Sequence, residues 1–175
     1  MKEYPLFMPP ESLAVIGAKN WKKKEAQEYF DWFMRERKQR VSNFLDFIGY
    51  ELTGNIEQDL KIISQKLFDA ANTPDFFSIR DVDGSKKLND RGLALAADSG
   101  LLLAQLLEYA RPNLYWQIAK GPKSYHSYNL PVLKEFENGD WDLVFTMIHK
   151  VGYSLLKELP INLLDMYLGL LNKAK

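Results

Sequence analysis

The chain has 175 residues, 46% hydrophobic and 26% charged. That composition suits one folded domain over residues 1–175, able to bury about 70% of its unfolded surface, and excludes a disordered chain. Twenty-three basic residues offset 23 acidic ones, so no net field draws the protein to nucleic acid or to a membrane. With no cysteine and two histidines, disulfides, thiolate zinc sites, a cysteine nucleophile and a multi-histidine metal site within one chain are excluded as well.

The N-terminus, Met-Lys-Glu-Tyr-Pro-Leu-Phe-Met-Pro-Pro, lacks the unbroken apolar run of a signal peptide. Together with the missing cysteines, this sets a cytoplasmic location as the expectation. Ala26, Tyr29, Phe30, Phe33 and Met34 then fall on one helical face, and Val41, Phe44, Leu45, Ile48 and Leu52 repeat the pattern. Residues 23–52 are therefore expected to form one long helix, or two joined near Arg37–Arg40, stopped by Thr53-Gly54-Asn55. Asn55 caps a following helix striped by Ile56, Leu60, Ile63 and Leu67 and ended before Pro74. Phe76-Phe-Ser-Ile-Arg80 is aromatic and β-branched, and Asp83-Gly84 follows as a turn, which marks a strand.

From Asp90 to Pro112 leucines lie on nearly every side of a helix slimmed by Ala94, Ala96, Ala97, Gly100 and Ala104. An all-round apolar helix needs partners all round. Asp98 near its middle makes a membrane span costly, by roughly 2.5–3.5 kcal/mol, so a core helix is expected. Residues 114–119 and 130–136 suit two antiparallel strands, the second placed at an edge or started late by Pro131. Asn138-Gly139-Asp140 turns the chain, Asp140 caps a helix to about Lys157, and Pro160 opens a last helix with Ile161, Leu164, Leu168 and Leu171 on one side. The expected architecture is α+β: helices packed around a small, mainly antiparallel three-stranded sheet, with a C-terminal helical hairpin.

Motifs with catalytic meaning fail. No G-x-G-x-x-G, G-x-S-x-G or H-E-x-x-H is present. Gly121-Pro-Lys-Ser124 lacks the earlier glycine of a phosphate loop, and Pro122 removes a backbone N–H such a loop uses. Asp81-Val-Asp-Gly84 with Asp90 has calcium-loop spacing, but position one falls on Ile79, which has no side-chain oxygen; a turn is expected. His149, within the penultimate helix, reads as a partly buried structural histidine. Lys19, Lys22, Lys23 and Lys24 around Trp21, with Arg35, Arg37, Lys38 and Arg40, share their segment with Glu25, Glu28, Asp31 and Glu36. They read as a solvated, ion-paired face rather than a nucleic-acid contact. Trp32 lies off the apolar stripe and is expected to be covered by another element.

The loop 120–129, Lys-Gly-Pro-Lys-Ser-Tyr-His-Ser-Tyr-Asn, is longer than a tight hairpin needs. Lys120, Lys123, Tyr125, His126, Tyr128 and Asn129 are its candidate binding residues, since tyrosine offers large contact area at low entropic cost. No second positioned group marks His126 as a general base. The acidic run Glu135, Glu137, Asp140 and Asp142 either protects a sheet edge or steers a basic partner.

The segments 92–107, 114–118 and 122–133 together resemble small uncharacterised bacterial α+β proteins, some of toxin-immunity type. That resemblance implies a cytoplasmic binding protein with no cofactor and supplies no catalytic residues. The first expectation is thus a non-catalytic, immunity-like interaction protein that binds another protein through the loop around His126. The alternative is a small-molecule or anion-binding domain, an enzyme included, with a pocket beside loop 120–129 and Lys120 and Lys123 as counter-charges. Homo-oligomerisation through the leucine-rich final helix stays open.

Overall fold

A computed structural model describes residues 3–175. After an extended start come the single turn α1 (Glu11–Ala14) and a 3-10 turn at Ala18–Asn20. The amphipathic pattern that follows gives one uninterrupted helix, α2 (Lys23–Ile48). It ends earlier than Thr53-Gly54-Asn55 because Gly49 takes the left-handed conformation (φ 60°, ψ 54°) and the Tyr50 N–H returns to the Leu45 carbonyl at 3.0 Å. Asn55 caps α3 (Ile56–Ala71) by accepting from the Gln58 N–H, and Leu60, Ile63 and Leu67 are buried as their spacing requires. Trp32 is half-buried, with its ring edge-on to Phe7 at 5.3 Å, so the N-terminal segment is what covers it.

The strand around Phe76 is real but pairs elsewhere. β1 (Phe77–Ile79) and β2 (Lys86–Leu88) make a separate two-stranded hairpin around Asp83-Gly84, where Asp83 Oδ1 accepts from the Ser85 N–H and hydroxyl at 3.0 and 2.6 Å. The three-stranded sheet is instead completed by a strand that the sequence offers only as a turn.

Asn89 caps the central helix α4 (Asp90–Ala110), which is buried continuously from Ala94 to Ala104. It is long and apolar enough to cross a membrane, yet in this fold it packs against α2, α3 and two C-terminal helices. Its glycines set how close those neighbours come. A Cβ on Gly92 would lie 2.1 Å from the Phe76 carbonyl oxygen, and one on Gly100 would lie 2.5 Å from that of Leu143. The one charge in its buried middle is fully matched. Asp98 accepts from Arg40 Nε and Nη2 at 2.8 and 2.6 Å and from the Tyr4 hydroxyl at 2.5 Å. Arg40 also donates to the Leu6 and Pro5 carbonyls, which straps the N-terminal segment over α2 and α4. Arg40 therefore turns inward, and Arg37 reaches Glu108 of α4 at 2.5 Å, so neither belongs to the solvated face read from the sequence. Burial pushes the Asp98 carboxyl up to about 6, against the lowering pull of Arg40 and Tyr4.

The larger sheet has strand order β3-β4-β5, all antiparallel: β3 (Trp116–Ile118), β4 (Pro131–Phe136) and β5 (Gly139–Trp141). β4 is thus central rather than at an edge. Pro131 is tolerated because it is the first residue of the strand and stands opposite Ile118, where no ladder bond to β3 is required. Glu135, with φ of 74°, absorbs a register shift between Leu133 and Phe136.

Asp140 lies within β5 and forms an ion pair with Lys134 of β4 instead of capping a helix. Asp142 is the cap of α5 (Leu143–Lys157), accepting from the Phe145 N–H at 2.9 Å. The last helix, α6 (Leu163–Leu171), starts not at Pro160 but after Asn162, whose side chain accepts from the Asp165 N–H. That start sets its buried face as Leu163, Tyr167 and Leu170, leaving Leu168 exposed. The two C-terminal helices form the expected hairpin, and both arms pack on α3 and α4.

Candidate functional site

Two buried side chains hold loop 120–129 in place. Ser127, fully buried, donates to Asp142 Oδ2 at 2.7 Å and so ties the loop to the cap of α5. Asn129 adopts φ of 66° and donates its amide to the carbonyls of Ala18 and Trp21 at 3.0 and 3.1 Å, tying the loop to the N-terminal segment. Successive turns close the interval: Tyr125 N–H to Pro122 O, Tyr128 N–H to Tyr125 O, and Leu130 N–H to Ser127 O. Burial raises the Asp142 carboxyl above its usual range, although the Phe145 N–H, Ser127 and His126 pull it down.

Anchored this way, the loop sends its candidate residues to two surfaces. His126 lies flat on Phe145 of α5, ring centroids 4.5 Å apart and planes at 29°. His149 approaches Phe145 at 4.3 Å and 60°, and Tyr125 packs edge-on against His126 at 4.8 Å. His126, Phe145 and His149, with Lys150 and Tyr153, line an open hollow of about 490 Å³. An adjoining hollow of about 440 Å³ shares His149 and Tyr153 and is lined by Arg80, Lys86 and Lys87. Lys123 is exposed on the loop. Lys120, Tyr128 and Asn129 instead line a cleft of about 640 Å³ with Trp21, Lys23 and β3.

His149 is exposed, not the partly buried structural residue its helical position suggests, and it joins His126 across Phe145. Phe145, His149 and Tyr153 recur at i, i+4 and i+8, and that spacing was readable. It was masked because Leu143, Met147, Val151 and Leu155 form a second apolar stripe on the same helix, and only that one is buried. The acidic run contributes little charge here, since Asp142 is a buried cap and Asp140 is neutralised by Lys134. Among the described residues no group of three His, Asp or Glu side chains is disposed to hold a metal ion. The arrangement offers flat aromatic surface, imidazole groups and a lysine-rich border. Comparison of the chain with protein-family models, with curated proteins and with solved structures finds no match.

Proposed function

We propose that this is a non-catalytic, cytoplasmic interaction protein of immunity-like type, which binds another protein through the face shared by loop 120–129 and α5. The observation that carries this reading is the row Phe145, His149 and Tyr153 on the outer side of α5, with His126 stacked over its first ring. Phe145 is 37% exposed and Tyr153 57%. Large aromatic side chains left in solvent at one spot, with Phe145 held between His126 and His149, are the composition of interface anchors. The surrounding cations Lys150, Arg80 and Lys87 favour an acidic surface on the partner, the reverse of the sign suggested by the acidic run, while Lys86 is engaged by Glu158 and Asn72.

Affinity capture from the source cell tests this with the wild type and a Phe145→Ala/His149→Ala/Tyr153→Ala variant side by side. The expected result is a protein retained by the wild type and lost by the variant, with the melting temperature kept within a few degrees because these side chains are outside the core. Identical capture by both proteins overturns the assignment of the face.

A further inference from the structure

The register of an antiparallel pair decides which backbone groups of an outer strand are free. On either side of β3 the Tyr115 carbonyl accepts from Lys134 N–H at 2.9 Å and the Ala119 N–H donates to the Leu130 carbonyl at 2.8 Å, so residues 115, 117 and 119 face β4. Trp116 and Ile118 stand opposite Leu133 and Pro131 in the intervening pairs, and their N–H and C=O groups point outward. Among the described residues those four groups have no hydrogen-bond partner. This open edge is one wall of the 640 Å³ cleft, and the first turns of α2, with Lys23, Gln27 and Phe30, line it too. Lys120 adds a second cation, and the buried indole Nε1–H of Trp116 has no acceptor among the described residues.

We propose that this edge accepts an extended acidic peptide segment as a fourth strand beside β3. Main-chain bonds to Trp116 and Ile118 supply register, and Lys23 and Lys120 select acidic side chains along the segment. A second copy of the chain fits less well. Two-fold pairing of β3 edges would bring a whole second sheet against α2, which lines the cleft where that sheet would have to lie. The site uses residues other than those of the α5 face and stands or falls separately from it.

The test titrates the full chain with a fluorescein-labelled octapeptide of alternating valine and glutamate, read by anisotropy and by backbone amide exchange. Saturable binding is expected, with slowed exchange at Trp116 and Ile118, and with affinity about tenfold lower for the valine–lysine peptide, a difference of about 1.4 kcal/mol. N-methylation of alternate peptide amides should abolish binding in one register and spare it in the other. Lack of saturation at millimolar peptide overturns the proposal, as does binding that leaves those two amides unchanged or tolerates both N-methyl registers. A concentration-dependent dimer with both amides already protected overturns it in favour of the second copy, and displacement of the peptide by inorganic phosphate alone overturns it in favour of a small-anion site.

Discussion

Replacing Gly100 by alanine tests whether α4 is slim because its neighbours require it. The added Cβ would meet the Leu143 carbonyl oxygen at 2.5 Å, the Leu143 carbonyl carbon at 2.9 Å and Val144 Cα at 3.2 Å. Ordinary contact begins at 3.4 Å, so the two helices must separate by roughly 0.9 Å at this point. The atoms in the way are backbone, and Leu143, Met147 and Val151 are fully buried, so α5 has little freedom to yield. Overpacking of this kind costs about 3 kcal/mol, the upper end of its usual range. The gain in helix propensity from glycine to alanine returns about 1 kcal/mol. The net expectation is a loss of about 2 kcal/mol, or about 4–8 °C in melting temperature for a chain of this length. Gly169 of α6 has nothing within 4 Å of its hypothetical Cβ, so Gly169→Ala should be neutral or stabilising by up to about 1 kcal/mol. Urea denaturation of both variants gives the comparison through the midpoint at constant slope. A Gly100→Ala protein as stable as the wild type would refute the steric account.

Asp98 predicts a pH effect of definite sign. Its folded pKa is raised to about 6, above an unfolded value of about 3.9, so its contribution to stability is fully present below pH about 4 and lost as pH rises through 6. The span is worth about 3 kcal/mol, and an Asp98→Asn variant should show a correspondingly altered slope of unfolding free energy between pH 4 and 6; identical slopes in the two proteins would exclude it. At Asn129, alanine loses two hydrogen bonds and must also hold φ of 66°, a total of about 3 kcal/mol, whereas glycine keeps the backbone and loses only the bonds. Denaturation midpoints should rank wild type above Asn129→Gly above Asn129→Ala, and an inverted order of the two variants would refute the left-handed requirement.

Where one face of an element is buried and a polar cap precedes it, the sequence carried enough to place it. α3 behind Asn55 is such a case, and α4 was legible for a different reason, its leucines on nearly every side requiring burial all round. β2 and β5 escaped notice because of composition: Lys86-Lys87-Leu88 is mostly charged where β1 and β3 are aromatic and β-branched, and Gly139-Asp140-Trp141 has turn composition. The choice between Asp140 and Asp142 as cap depended on a sheet pairing: once Asp140 is committed to Lys134 across a hairpin, only Asp142 remains free to turn inward. α5 failed differently. With apolar residues on two opposed sides, periodicity alone does not say which side meets the core, and contact with α4 decides it. The α5 half of the candidate face was hidden for that reason, whereas the loop half was legible from its length and its tyrosines.

Those same polar residues have two kinds of work, and this bears on how the proposed face would bind. Ser127 and Asn129 look in sequence like their neighbours Tyr125, His126 and Tyr128, yet both are buried and bonded within the chain. Their bonds fasten the loop to α5 on one side and to the N-terminal segment on the other, so the exposed rings are presented from a backbone already ordered. Immobilising a free side chain on association costs about 0.5–1.5 kcal/mol, and an anchored, stacked ring avoids much of that. On the proposed reading, breaking the Ser127–Asp142 bond should therefore weaken partner binding without touching any contact residue. A Ser127→Ala protein that folds normally and binds with unchanged affinity would mean that preorganisation of the loop contributes nothing to recognition.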